Sequence, residues 1–358
     1  MEEKPEDRQT TSEIFPLALP KGTKKLCELC QRRAKLQCVN CRVTFYCNQE
    51  HQQVDWSGIH ERVCELLVPV RSTSPTDCLD DTQIRLKQVE LIEISRSVAE
   101  SKLAEGRHKE ALSAAHFCLR CTLDVHGPRT VQLVPAYRLL AEVNMGLDNL
   151  AMAGEFLSQA EWVVLQSPEC GPVFQHQLHR SLGHLNMAMG NLEAALLHFA
   201  NDIYYACEEF GLDSSVTCGG YFFMANVFVQ QEKLLVASSL YSKVACTWHS
   251  RLTRLIKTHL EDVQTPTCLD KAEQTQADEM LRTILQFEEN DSRRDLGQIA
   301  LAAHCLATLW FLGGDSLKAL GFVKAALEAI QMIPHHDLTE PIHNLLQIIS
   351  TDPHPGSE

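Results

Sequence analysis

A chain of 358 residues with 45% hydrophobic side chains has apolar material enough for two or three packed domains or one extended repeat array. Its formal charge of −14 argues against nonspecific binding of the whole molecule to nucleic acid or a membrane surface, and its apolar runs are too interrupted to span a bilayer. Aromatics make up only 6%, so Ala and Leu carry the packing, which points to helix.

Residues 1–25 read as a flexible lead. MEEKPEDRQTTSE is charged and nearly free of large apolar residues, unlike an apolar secretory leader. PLALP (16–20) follows, its two prolines favouring an extended linker. With no leader, the 15 cysteines are expected in a reducing, intracellular setting rather than in disulfides.

Residues 26–66 carry the strongest local signal. Cys27-x2-Cys30, Cys38-x2-Cys41, Cys47-x3-His51 and His60-x3-Cys64 supply eight metal donors in thirty-eight residues. A pair two to four apart presents both side chains to one ion from one turn, and four pairs fill two closed tetrahedral zinc sites. Eight donors leave no open position on either ion, so the expected role is structural rather than catalytic. VTFYC suits a hairpin strand, and Asn48 to Cys64 reads as helical. A module this small cannot hold itself with a core, and ion binding supplies its folding energy.

Tyr46-Cys47…His51-Gln52…Trp56…His60…Cys64 resembles the helical half of a MYND-type zinc finger. The resemblance implies cross-braced wiring, with Cys27, Cys30, Cys47 and His51 on the first zinc and Cys38, Cys41, His60 and Cys64 on the second. His51 stands where that family usually has Cys, so the first site is expected as Cys3His. The resemblance also implies capture of short peptides containing proline and leucine, with Gln52 and Trp56 lining the groove. Trp56 as simple core packing is the alternative. Between Lys21 and Arg71 nine Lys/Arg face five Asp/Glu, but six zinc-bound thiolates offset part of that surplus. No helix carries a row of base-reading side chains, so nucleic acid is not an expected partner.

Residues 67–82, rich in Pro, Ser, Thr and Asp, read as a linker. From residue 83 to 253 small residues recur at a fixed step of forty-two: Ala99, Ala141, Gly183 and Ala225, then Ala111, Ala153, Ala195 and Ala237. Two small positions twelve apart are what stacked helical hairpins require, because helices approach closely only where side chains are small. Gly106, Gly146 and Gly190 fall between the paired helices as expected breakers. The spacing resembles the tetratricopeptide (TPR) repeat, in a divergent, longer-helixed form. It lapses in 254–295, read as an irregular insert or degenerate repeat, although 273–289 looks helical. It returns at Leu306, Ala307, Ala319, Val323 and Ala326, in a hairpin and capping helix over 296–350 before a tail at 351–358.

Cys118-x2-Cys121 and the trio His176, His179 and His184 are weak metal candidates; small-residue packing suits the former and a solvated or groove-lining role the latter. None of the common catalytic motifs occurs. One family of lysine methyltransferases also joins a MYND finger to helical repeats, but too few residues separate finger and repeats here for its catalytic half. The expected fold is therefore mainly α: a small double-zinc MYND finger, then an all-α TPR-like superhelical solenoid. The expected function is a non-enzymatic adaptor whose finger takes a short peptide and whose groove takes a second protein. By analogy the setting is cytoplasmic, in cilium or flagellum axoneme or dynein-arm assembly. The alternative is a transcriptional co-repressor adaptor in the nucleus.

Overall fold

The computed structural model describes residues 11–13, 25–71, 80–167, 170–261, 269–290, 295–333 and 335–351. PLALP (16–20) and the tail beyond Thr351 lie outside them. The chain divides into two units, Met1–Asn191 and Leu192–Glu358.

In the first unit a three-stranded antiparallel sheet comes from β1 (Thr11–Glu13), β2 (Leu36–Cys38) and β3 (Phe45–Tyr46), in that order. Within the stretch read as a flexible lead, the β1 strand corrects that reading for residues 11–13: Thr11, Ser12 and Glu13 pair with Cys38, Gln37 and Leu36. Nothing in the local composition signals a strand, because the pairing partner lies more than twenty residues away. Helix α1 (Gln49–Asp55) starts at Asn48, whose side chain accepts the His51 N–H at 2.9 Å. A π-helical turn over Trp56–His60 then passes into α2 (Glu61–Arg71).

Helix α2 runs five residues into the segment read as linker, despite Pro69. Its apolar side explains this. Ile59, Val63 and Leu67 are buried in one core with Leu91, Ala111, Ala114 and Phe117 from α3 (Asp81–Ala104) and α4 (His108–His126). Burial of this kind contributes about 1.5–3 kcal/mol per large aliphatic side chain, comparable with the roughly 3 kcal/mol cost of an interior proline. Helices α5 (Leu133–Gly146) and α6 (Leu150–Leu165) form the next hairpin, and α7 (Pro172–Ala188) packs on both.

The second unit holds α8 (Leu192–Phe210), α9 (Ser215–Gln230), α10 (Leu234–Glu261), α11 (Lys271–Asn290), α12 (Leu296–Leu312), α13 (Ser316–Ile330) and α14 (Thr339–Thr351). Helix α9 pairs with α10 and α12 with α13. Helix α10 continues without a break past Thr253, and α11 packs against α12 and α10, so regular helix occupies much of the segment read as an insert. Ser214, Asp295 and Asp315 cap α9, α12 and α13 through side-chain oxygens.

The forty-two-residue step has a physical meaning at two levels. Ala99, Ala111, Ala141, Ala153, Ala195, Ala225 and Ala237 are all fully buried, where larger side chains would hold the helices apart. The turns repeat as well. Gly106, Asp148, Gly190 and Glu232 all have positive φ, at +72°, +59°, +76° and +58°. In each, the next residue's N–H bonds back to a carbonyl five residues earlier: Arg107 to Lys102, Asn149 to Asn144, Asn191 to Asn186 and Lys233 to Phe228, at 2.8–2.9 Å. This is the Schellman closure of a helix C-terminus. Gly146 is therefore not the turn residue of its hairpin, as its sequence position suggests. It ends α5, where an added Cβ would lie 2.4 Å from His108 Nδ1.

Candidate zinc centres and the adjoining cleft

The two Cys-x2-Cys turns share one backbone geometry. Gln31 and Arg42, each directly after the second cysteine, adopt φ of +56° and +59°. Their N–H groups bond to the carbonyls of Cys27 and Cys38 at 3.0 and 3.1 Å. Each turn thus aims two sulfurs at one point. The end of β3 and the first turn of α1 supply Cys47 and His51, and the π-turn and α2 supply His60 and Cys64.

The structure gathers the eight donors into two groups, Cys27–Cys30–Cys47–His51 and Cys38–Cys41–His60–Cys64, with the donor atoms of each group within 4.8 Å of one another. In the first, His51 Nδ1 lies 3.4 Å from Cys27 Sγ and 3.3 Å from Cys47 Sγ, and Cys30 Sγ lies 3.6 Å from Cys47 Sγ. In the second, Cys38 Sγ lies 3.9 Å from Cys64 Sγ and Cys41 Sγ 3.6 Å from His60 Nε2. A tetrahedron with Zn–S of about 2.3 Å and Zn–N of about 2.0–2.1 Å has edges of about 3.5–3.8 Å. The donors therefore fit zinc in both chemistry and spacing. The second group is wholly buried, whereas only Cys27 is buried in the first. Burial pushes the Cys64 thiol up to about 11, with the Cys41 charge adding to it, so a full set of thiolates here depends on a cation.

A shell of groups behind the second site is not marked by the metal spacing. Asp55, 1% exposed, accepts a 2.8 Å hydrogen bond from Tyr46 Oη and lies 3.9 Å from His60 Nδ1. Burial raises the Asp55 carboxyl to about 6; the Glu28 charge adds to this, while His60 and the Tyr46 hydroxyl oppose it. Thr44 Oγ1 lies 3.5 Å from Cys41 Sγ. Such neighbours orient the first ligands and tune their basicity.

Gln52 and Trp56 separate in environment. Gln52 is 3% exposed, so its amide does not lie open beside a groove. Trp56 is half-buried against the His60 ring, 5.7 Å between centroids, and lines a cleft of about 420 Å³. The cleft is composite: Trp56 and Arg62 come from the finger, Ser97, Ser101 and Lys102 from α3, and Arg107 from the following turn. Gly58 allows a close approach to α4, since an added Cβ would lie 2.7 Å from Ser113 Cβ.

A second cavity of about 370 Å³ lies between α3, α5 and α7, lined by Arg96, Glu100, Arg138, Glu142, Phe174 and Gln177. Arg138 binds Gln177 Oε1 at 2.7 Å, Glu142 Oε1 at 3.0 Å and Ser181 Oγ at 3.1 Å. Arg96 and Arg138 stand one forty-two-residue step apart, as do Glu100 and Glu142, a periodic signal that the small-residue pattern masks. Cys118 is buried with its Sγ 3.7 Å from the Ile92 carbonyl oxygen, as a packing residue would be. Among the described residues neither Cys118 and Cys121 nor His176, His179 and His184 join a metal-ligand cluster.

Residues 27–64 match the family model described as MYND finger. Residues 27–64 are thus a MYND finger whose donors fit two zinc ions, followed in the chain by TPR-like helical hairpins. Among solved structures it is similar to BtubC (BKLC) from P. vanneervenii, at 16% identity over 68% of this chain and 93% of that one, with a TM-score of 0.33. It is similar to the nearly identical TPR-like repeats of a putative kinesin light chain from Podospora anserina, at 12% identity over 68% and 97%, with a TM-score of 0.38. It is also similar to the apo form of RapI, at 12% identity over 80% and 100%, with a TM-score of 0.40. Helix pairing within the chain, not these distant likenesses, defines the repeat fold.

Proposed function

We propose that this protein is a non-enzymatic adaptor that joins two protein partners, a short peptide at the finger and a second chain on the helical hairpins. The observation that carries this is the composite cleft at Trp56. A half-buried tryptophan beside serines and side chains of both charges, Glu61 and Glu105 with Arg62, Lys102 and Arg107, suits an extended peptide with apolar anchors. The cavity between α3, α5 and α7 offers a separate polar surface for the second chain. The proposed setting is cytoplasmic, at the axoneme or dynein-arm assembly of a cilium or flagellum, and the peptide is proposed to contain proline and leucine.

Capture of partners from ciliated-cell extract on the intact, zinc-loaded chain tests this reading. The intact chain is required because a cut at residue 70 would open the core that α2 shares with α3 and α4. Trp56→Ala should lose the finger partner, with binding weakened by about 1–3 kcal/mol, and keep the second. Recovery of nuclear repressor subunits instead of axonemal proteins would favour the co-repressor alternative. Equal capture by the folded variant would assign Trp56 to packing alone.

A further inference from the structure

The two zinc centres share one donor set, three cysteines and a histidine, but differ in their surroundings. All four donors of the second are buried, and Thr44, Tyr46 and Asp55 around them are buried too. Ile59 and Val63, next to His60 and Cys64, lie in the core shared with α3 and α4. In the first centre Cys30, Cys47 and His51 are each partly exposed, and the flanking Gln31, Arg32, Asn48 and Glu50 are exposed. A thiolate reacts with a dissolved oxidant only where the oxidant reaches it. Cys30 and Cys47 meet that condition; Cys38, Cys41 and Cys64 do not.

Cys30 and Cys47 are also neighbours, with their sulfurs 3.6 Å apart across seventeen positions of sequence. Bonds between protein groups alone keep their backbones together. The Glu28 N–H donates to the Phe45 carbonyl at 2.9 Å, and the Lys35 N–H to the Tyr46 carbonyl at 2.8 Å. The turn that carries Cys30 is thereby tied to β3, whose end carries Cys47. From the helices, Arg71 and Arg120 hold the Glu28 carboxylate at 2.9 and 2.8 Å. None of these contacts passes through a metal, so the two thiols stay side by side without one.

We infer that Cys30 and Cys47 form a peroxide-sensitive dithiol, whose oxidation to a disulfide releases the zinc of the first centre while the second centre keeps its own. One thiolate attacks an oxygen of hydrogen peroxide; the O–O bond breaks, a sulfenic acid forms and hydroxide leaves. The other thiolate attacks that sulfur; the S–S bond forms, the S–O bond breaks and a second hydroxide leaves. The two sulfurs give up two electrons to one peroxide, and two protons convert the hydroxides to water. Cys27 and His51 alone remain as donors, half of the closed tetrahedron that holds a structural zinc. The loss stays local, because α2 keeps its anchor at the second centre and its apolar side in the shared core. Helix α1, which begins between Cys47 and His51, is the element that loosens. This goes beyond the adaptor reading and does not depend on it.

The test uses the full-length chain loaded with two zincs and treated with hydrogen peroxide. Released zinc is followed with a chromophoric chelator, and thiols are mapped by alkylation and mass spectrometry. One zinc per chain should leave, with Cys30 and Cys47 joined, and the second should follow at least about tenfold more slowly. Amide exchange should rise in α1 while α3 and α4 stay protected, and thiol reductant with added zinc should reverse both changes. Cys30→His keeps a zinc donor but removes the dithiol. A variant that holds two zincs should resist peroxide, losing the first at least about tenfold more slowly than wild type. Where it fails to load, the thiol map of the wild-type chain decides. Loss of both zincs at one rate would overturn the inference. So would release of the first zinc with Cys30 and Cys47 still open to alkylation, or with Cys38 and Cys64 joined instead.

Discussion

Arg120 of α4 reaches across ninety-two positions to Glu28, between the first two zinc-ligand cysteines, and donates to its carboxylate at 2.8 Å. Arg71 grips the same carboxylate with two bonds of 2.9 and 3.0 Å, and Arg120 also donates to the Glu28 carbonyl. Both guanidinium groups lie 5.9 Å from the centre of the Phe117 ring. The finger is thus fastened to the first helical hairpin by a charged clamp as well as by the apolar side of α2.

Glu28→Gln should therefore loosen this contact without removing zinc. Burial by itself would raise the Glu28 carboxyl; the Arg71 hydrogen bonds and the charges of Arg120 and Arg71 outweigh that and hold it below its ordinary value. A carboxyl depressed in the folded state contributes stability that is present above its unfolded pKa and lost as pH falls through its folded one. The expected cost is about 1–3 kcal/mol at neutral pH, with zinc content unchanged. The difference between wild type and variant, measured by denaturant unfolding, should hold down to the unfolded value near 4.5 and shrink below it. A constant gap down to strongly acid pH would show that Glu28 does not act through its charge.

Cys38→Ala should have effects beyond the finger. Cys38 belongs to the wholly buried group with Cys41, His60 and Cys64. Without it the π-turn and α2 lose their metal anchor, and with them Ile59, Val63 and Leu67 leave the core they share with α3 and α4. Zinc content should fall below two per chain, and amide exchange in α3 and α4 should rise, while α12 and α13 stay protected. A variant that keeps two zincs would refute the assignment of Cys38 as a ligand.

What the sequence shows and what it hides follow from the range of the interactions. Four pairs of donors two to four residues apart announce a metal because each pair is a local turn. Buried Ala at a constant step announces helical hairpins because close helix contacts admit no larger side chain. Glu28, Arg71 and Arg120 give no such sign, since their meeting depends on how α2 lies against α4. Strand β1 is hidden for the same reason: its partner, β2, is distant, and TSE resembles any polar lead. Gln52 fits a groove by spacing alone, yet it is buried in the packed finger. The turn at Glu232 is hidden differently. Glycine marks left-handed positions at Gly106 and Gly190, but Glu232 takes the same conformation without the residue that advertises it.

Glu232→Gly should stabilise the α9–α10 hairpin. A left-handed conformation costs a residue with a Cβ roughly 1–2 kcal/mol, and glycine removes that cost while losing about 0.5–1 kcal/mol to extra freedom in the unfolded chain. Glu232 is exposed, so no packing is given up. A net gain of about 0.5–1 kcal/mol is expected in denaturant unfolding, and amide exchange in α9 should slow. A loss of stability would mean that the Glu232 side chain contributes more than its backbone costs.

The second unit carries its own acid sensitivity. His304 on α12 is 6% exposed, its ring 5.4 Å from that of His249 on α10, and its Nδ1 has no hydrogen-bond partner among the described residues. Burial, and then the neighbouring His249, lowers its pKa from the usual 6.5 to about 4. Between those two values the unfolded chain binds a proton that the folded chain refuses, so stability rises with pH across this window. On acidification from pH 7 to 4 the unit should lose about 2–3 kcal/mol from this residue alone, and little more from it below pH 4. His304→Leu keeps a side chain of similar volume without the titration and should flatten that part of the profile. Amide exchange along α12 reads the effect without interference from zinc loss at the finger. If α12 in the variant follows the wild-type acid profile, the buried imidazole is not the group that titrates.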